Sequence, residues 1–337
     1  MAKLSMRHRL LLVTLAALLI LGLGGYTLWW YRLAGSWRDG IVAWVAAHNS
    51  EGLHIATGGV TVGGYPGPFR LLLARPSVTY PDAFTWQGPP VTVVISPFAP
   101  NHPRLVAPGQ HVVALGAHPP LAIAATTAEA DLIVDADGLD RASFDFAEMT
   151  VGAGRLGRLA GSIRRLSRGP ATYSTPSLAV SASLQRLDLP DDPRLVLGPS
   201  VASARIEARV LGSLPRAPSR PAVEGWRDGG GTVEIDALAV DWPPLGVTGK
   251  GTLALDGDMQ PILASSCTIR GLMQAIDGLA HGAAIRPRDA AMAKLVLGLL
   301  AKPGVDGVEE WTVPVTLQER TLYVGPAALL KVPALAW

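Results

Sequence analysis

The sequence predicts a mainly β protein: a curved antiparallel sheet or pair of sheets with a late helical pair, carried on one N-terminal transmembrane helix. Three observations predict it. A charge-free apolar stretch opens the chain, strict two-residue alternation recurs through its middle, and helical spacing replaces that alternation only near the end.

The apolar stretch is Leu10 to Tyr31, LLLVTLAALLILGLGGYTLWWY, 22 residues without a charge. A helix needs about 20 to cross a bilayer. Lys3, Arg7 and Arg9 precede it and Tyr26, Trp29, Trp30 and Tyr31 close it. That is the positive-inside flank followed by an interfacial belt of amphipathic rings. It reads as an anchor, with Leu10, Leu21, Trp29 and Trp30 along its depth. Residues 1–35 then form a cytoplasmic tip and span, and 36–337 an exported β-rich domain. A cleaved signal sequence is the rival. It would carry a shorter apolar core and a small-residue cleavage site. Bulky residues follow this run, and Leu33-Ala34-Gly35 makes a poor cleavage site.

Of 337 residues, 49% are hydrophobic and 17% charged, more apolar character than one anchor explains. The net charge of +2 argues against nucleic acid as a partner. Gly 37 and Pro 28 suit many short strands joined by turns. The single cysteine, Cys267, has no partner for an internal disulfide, and it reads as a small buried residue at a helix start.

Ser36 to His48 reads as a short helix capped by Ser36, with Trp37, Ile41, Trp44 and Val45 on one face. Strand candidates follow at Leu53–Val62, Phe69–Tyr80, Phe84–Ser96 and Arg104–Leu115, with turn chemistry at GGYPGP (Gly63 to Pro68) and a Pro-rich link at Pro97–Pro103. Alternation is clearest at Ala128–Asp137, Arg141–Phe146 and Val201–Val210, where apolar and polar residues take opposite faces. Leu178–Leu189 alternates with a phase slip between Gln185 and Arg186, which predicts a β-bulge. LPRAPSRP (Leu214 to Pro221) and the glycines at 229–231 mark either a boundary between half-domains near 212–231 or a long loop within one sheet. Strands resume at Thr232–Asp241 and Gly249–Asp256. Helical spacing then appears at Ile269, Leu272, Met273, Ile276 and Leu279, and again at Met292, Leu295, Val296 and Leu299. Pro287 suits a first helical turn, and Lys302-Pro303-Gly304 ends the second helix. A hairpin over Trp311–Leu317 and Thr321–Val324 and a Pro-containing tail, Gly325 to Trp337, complete the chain.

Gly152 to Gly157 matches G-x-G-x-x-G, but a dinucleotide site needs a strand before it and a helix after it within a βαβ unit, and strands surround this one. Arg155, Arg158, Arg164 and Arg165 form a basic patch, either a solvated face or a contact for anionic headgroups. The histidines show no metal-ligand spacing; His281 and Asp277 read as a surface helix pair. No metal, cofactor or catalytic residue is expected. The apolar sides of three alternating strands present Leu132, Val134, Phe144, Phe146, Ile206 and Val210. Such side chains face either a closed core or a lipid.

GGYPGPFRL (Gly63 to Leu71), Phe98 to Pro103, Trp242-Pro243-Pro244, Gly251-Thr252-Leu253 running to Met259-Gln260-Pro261, and YVGPAALLKVPALAW (Tyr323 to Trp337) occur in this order. Together they resemble the domain of unknown function 2125 family, membrane-anchored envelope proteins of Gram-negative bacteria. The resemblance implies a single-pass inner-membrane protein with its bulk in the periplasm, and it supplies no catalytic residue. More loosely, the chain is similar to the AsmA-like group, whose curved sheets present an apolar groove to lipid. The expectation is a non-enzymatic protein that binds or passes membrane lipid along an apolar sheet face, with other envelope proteins as further partners. A scaffold with a closed β core is the alternative.

Overall fold

The computed structural model describes residues 6–50, 53–80, 84–116, 118–169, 171–190, 197–214, 220–282, 285–299, 301–303 and 309–335. Lys3, most of LPRAPSRP, Gly304 and Trp337 lie outside them. The chain divides into two compact units, residues 1–107 with 112–120, and residues 108–111 with 121–337. Both flanks of 212–231 belong to the second unit, so the boundary lies far upstream of that segment.

The first unit begins with α1 (Met6–Ser50), one continuous helix where the sequence reading placed two. Ser36 is no cap: its Oγ donates to Leu33 O at 2.8 Å, the local back-bond of a mid-helix serine. Gly35, at the boundary expected between anchor and domain, is tolerated within the helix at about 1 kcal/mol relative to alanine.

Eight strands follow: β1 (His54–Ala56), β2 (Val60–Gly63), β3 (Phe69–Leu73), β4 (Ser77–Tyr80), β5 (Phe84–Gln87), β6 (Val91–Ser96), β7 (Ala99–Val106) and β8 (Gly109–Leu115). The first three expected strands each break in two. Gly58 and Gly59, both at positive φ, divide the first, and Pro76 and the Gly88-Pro89-Pro90 run interrupt the next two. The expected link at Pro97–Pro103 is mostly strand, and the register of β7 with β6 runs over Ala99 and Arg104–Val106 and passes over Pro100 to Pro103. β2, β3, β6 and β7 pair in that order, and β1, β4, β5 and β8 form a second antiparallel series. The unit's core joins helix to sheet: Trp30 and Ala34 of α1 are buried with Phe69, Leu71 and Ile95, flanked by Tyr26, Leu33, Trp37 and Ile41.

The second unit is an antiparallel meander. It runs β9 (Leu121–Asp135), β10 (Gly138–Val151), β11 (Gly154–Arg165), β12 (Pro176–Asp188), β13 (Ser200–Leu211), α2 (Arg220–Asp228), β14 (Thr232–Trp242), β15 (Leu245–Leu255) and β16 (Pro261–Arg270). Then come α3 (Leu272–His281), α4 (Pro287–Gly298), β17 (Lys302–Pro303), β18 (Glu309–Gln318), β19 (Thr321–Val324) and β20 (Ala327–Lys331). Each strand from β9 to β16 pairs with its successor, β18 pairs with β16 across the helical insertion, and β19 and β20 extend the series. β13 pairs directly with β14, so 212–231 connects neighbours in one sheet. The late helical pair is present, but Ile269 and Cys267 belong to β16 rather than to a helix. Gly271, at φ 68, turns the chain from β16 into α3.

Across the first five strands of this sheet the ladder skips one residue at a matching level: Thr126 on β9, Glu148 on β10, Gly157 on β11, Arg186 on β12 and Ala202 on β13. Glu148 and Arg186 take positive φ there, 49° and 53°. The phase slip read at Gln185-Arg186 is therefore present. It is no inserted residue, since Gln185 still pairs with Ser203 and Leu187 with Val201. Its effect is that Phe146 and Met149, Leu156 and Leu159, and Leu184 and Leu187 all join one apolar cluster, at a spacing of three.

Candidate functional site

Directly opposed residues in an antiparallel pair share a face. In β9, Ala128, Ala130 and Leu132 lie opposite Phe146, Phe144 and Ala142 of β10. Those continue to Leu159, Gly161 and Ile163 of β11, then to Leu184, Ala182 and Val180 of β12. The same row passes through Ala204, Ile206 and Ala208 of β13 to Val240, Leu238 and Ile235 of β14. Beyond β15 it reaches Cys267 and Ile269 of β16, Trp311 and Val313 of β18, and Val324 of β19. One face of the second unit is thus apolar from strand to strand.

The two ends of that face differ. Over β16 to β19, α3 and α4 close it. Leu272, Ile276, Ala290, Ala293 and Leu297 bury Cys267, Ile269, Trp311, Val313 and Val324 in a single core. Trp311 Nε1 donates to Leu297 O at 2.9 Å, and Lys294 Nζ bridges α4 to the Asp277 carboxylate of α3 at 2.8 Å. His281 instead bonds the Asp277 backbone carbonyl, at 2.7 Å.

Over β9 to β12 the apolar cluster consists of strand residues alone, with Ala125, Ala128, Met149 and Leu156 buried in it and no residue of α3 or α4 joining. Leu132, Val134, Phe144, Phe146, Ile206 and Val210 are all half-buried. They share this stretch with small residues, so large side chains lie across small ones. Phe144 overlies Gly161, where an added Cβ would come within 2.6 Å of Phe144 Cζ. Phe144 and Phe146 contact each other in a tilted pair, centroids 5.7 Å apart. Leu159, Leu184, Ile206 and Leu238 line a shallow apolar hollow of about 210 Å³. Leu159, Leu184 and Leu238 were missed in the sequence. The spacing of three across the kink hides the period that would have marked the first two.

The opposite face is polar and largely self-paired. Arg158 forms a two-point ion pair with Asp145, and Arg209 does the same with Asp236. Each arginine holds its partner's carboxyl below the usual carboxylate range by direct hydrogen bonding. Arg165 and Arg168 gather at Asp135, with Arg168 also on Asp140. The four arginines read as one patch therefore divide. Arg158 and Arg165 have acidic partners, Arg155 and Arg164 are exposed, and Arg164 lies opposite Arg141 across the β10–β11 ladder. Gly152 to Gly157 forms the tight turn and first residues of β11 in this hairpin, with Gly152 at φ 59 and no helix following. Cys267 is buried, 3.6 Å from Ser265 Oγ. Among the described residues no three of His, Cys, Asp and Glu come together as a metal site.

In the first unit, the predicted anchor residues separate by burial. Residues 14–25 of α1 are exposed on every side, including Leu21. Trp29 remains exposed, whereas Trp30 is only 2% exposed. Trp30 is therefore a core residue of the first unit rather than a belt ring facing lipid. Its ring packs on Phe69 at 4.8 Å and its Nε1 donates to Gly67 O at 2.9 Å. Thr14–Ser50 is long and apolar enough to cross a membrane.

The family model described as "Uncharacterized protein conserved in bacteria (DUF2125)" matches residues 30–333. No curated protein and no solved structure matches the chain.

Proposed function

For a chain that belongs to the DUF2125 family, we propose a non-enzymatic role: a membrane-anchored protein of the bacterial envelope that binds lipid along the open apolar sheet face of its second unit. The observation that carries this reading is the contrast along one face. Helices cover it over β16 to β19, whereas over β9 to β14 Met149 and Leu156 are buried among strand side chains alone and Leu132, Val134, Phe144, Phe146, Ile206 and Leu238 stay half-buried. Each such side chain gains about 1.5–3 kcal/mol when fully removed from water, so a row of them left half-covered favours an apolar occupant. Acyl chains match the surface because it offers hydrocarbon and little hydrogen bonding: the residues lining the hollow contribute mainly aliphatic side chains. The length and apolar character of α1 support this reading, since a membrane span there would sit among such chains. The rival, a scaffold whose β core is closed, draws its support from the helix-covered end.

The test is lipid extraction and mass spectrometry on the purified full chain, beside Phe144→Asp and Ile206→Asp. The expected result is co-purified lipid that both variants lose while remaining folded. A melted protein with either substitution would favour the closed-core scaffold, and lipid retained by both would remove the groove.

A further inference from the structure

The GGYPGP turn between β2 and β3 is packed on α1, not on neighbouring strands alone. Tyr26 Oη donates to Pro66 O at 2.5 Å, Trp30 Nε1 donates to Gly67 O at 2.9 Å, and Thr27 Oγ1 and Tyr65 Oη share a hydrogen bond of 2.6 Å. Tyr65 stacks on Tyr31 at 5.6 Å and meets the edge of Trp30 at 5.5 Å. The turn is thereby fixed at one height on the helix, the level of residues 26–31.

That height can be compared with a bilayer. From Leu10, the first residue after Arg9, to Gly25, the last before the contacts begin, α1 has 16 residues. At 1.5 Å per residue they span about 24 Å, short of the roughly 30 Å of a hydrocarbon core. Twenty residues from Leu10 end at Trp29, so a membrane that covers the uncharged stretch must reach the level where the turn is held. Arg32 follows one helical turn later.

From this we infer that the turn Gly63 to Pro68 is a membrane-docking element. It sits at the headgroup level of the phospholipid bilayer, with Tyr65 and the exposed rings of Trp29 and Tyr31 forming the contact. The inference rests on the reading that α1 crosses a membrane. Its chemistry fits that depth. Tyr26, Trp30 and Tyr65 each have a protein partner for their polar atom, and two turn carbonyls are occupied, so little unsatisfied backbone is carried toward hydrocarbon. The outward rings are the side chains that favour an interface, with Trp29, Tyr31 and Tyr65 exposed by 43%, 59% and 41%. The helix is consequently retained: loss of residues through Ala34 would remove Trp30 and Ala34 from the first unit's core.

The test is nitroxide depth measurement on the full chain in phosphatidylcholine–phosphatidylglycerol vesicles, in a Cys267→Ala background. Labels are placed at Tyr65→Cys and, sparing the rings, Pro68→Cys. Val42→Cys, exposed three turns further along α1, and Leu21→Cys serve as references. The expected order of oxygen over water-soluble-quencher accessibility is Leu21 highest, position 68 and position 65 intermediate, and Val42 at the aqueous value. Labels at 65 and 68 both as aqueous as Val42, with Leu21 still deep, would overturn the docking turn alone. An aqueous Leu21 would overturn the transmembrane reading and the docking turn with it. Intact mass is expected to include residues 14–34, and a chain beginning after Ala34 would overturn the inference.

Discussion

The β16–β19 end and the β9–β14 end of the second unit share one apolar face, yet only the first is packed under the late helical pair. At the covered end the sequence supplies a helical pair between β16 and β18, and those helices bury Trp311 to 1% exposure. At the other end the connections between β9 and β12 are hairpin turns and a short loop, and α2, between β13 and β14, packs Trp226 at the strand ends, donating to Leu211 O. Strand alternation is the same in both places. What differs is the length of the connection, and that decides whether an apolar face becomes core or surface.

The largest expected effect therefore lies at the covered end. Trp311→Ala removes a fully buried ring under α4 and its hydrogen bond to the Leu297 carbonyl. It is expected to cost about 3–5 kcal/mol, read as a lower denaturation midpoint at unchanged slope. Survival of Trp311→Ala with little loss would erase the distinction between the two ends.

Cys267→Ser comes next. The residue is 3% exposed in the covered core, where its sulfur behaves as a small apolar group. A serine hydroxyl there would find Ser265 Oγ and little else, so a loss of about 1–3 kcal/mol is expected. Cys267→Ala should cost less, and lipid recovery should be unchanged in both. Lost lipid recovery at normal stability would give the thiol a role beyond packing.

Phe144→Asp and Ile206→Asp sharpen the comparison from the open end. Both side chains are half-buried on an uncovered stretch, so a carboxylate can keep water, and the melting temperature is expected to fall far less than for Trp311→Ala. Lipid recovery should fall in both. Equal destabilisation at the two ends would mean that the open face is covered in solution.

Much of this sheet was legible. Ala128–Asp137, Arg141–Phe146 and Val201–Val210 alternate because one face of each strand is apolar and the other wet; the structure contains the second and third within β10 and β13 and the first within β9 as far as Asp135. β11 was not read as a strand, because Leu156 and Leu159 share a face at a spacing of three across the kink at Gly157. β16 was missed because Ser265 interrupts its apolar side, and the helical spacing counted from Ile269 began three residues before α3. Trp30 was misplaced because the sequence shows an aromatic cluster without showing which ring meets Phe69. The apolar site residues were readable one face at a time. Their covering was not, because it depends on contacts between α3, α4 and distant strands.

The smallest expected effect is on the polar face. Asp145 and Arg158 are bound at two points, and the hydrogen bond from Arg158 is the main reason that the Asp145 carboxyl lies below its ordinary range. A depressed folded-state pKa means that the pairing stabilises the fold above the unfolded carboxylate value, about 3.9, and is lost as pH falls through the lower folded value. Both side chains are substantially exposed, 53% for Arg158 and 38% for Asp145, so water and salt screen the pair. Asp145→Asn is therefore expected to lower the melting temperature slightly at pH 7 and low salt, and less at high salt. As pH falls through the lowered folded value the variant and the parent should converge, because the parent's carboxylate then becomes protonated as well. A gap that persists at acid pH would assign Asp145 to the packing of the β10–β11 ladder instead of to charge. Either way the change should stay small beside that of Trp311→Ala, since this face is held by hydrogen-bonded strands and exposed ion pairs while the covered end is held by buried rings.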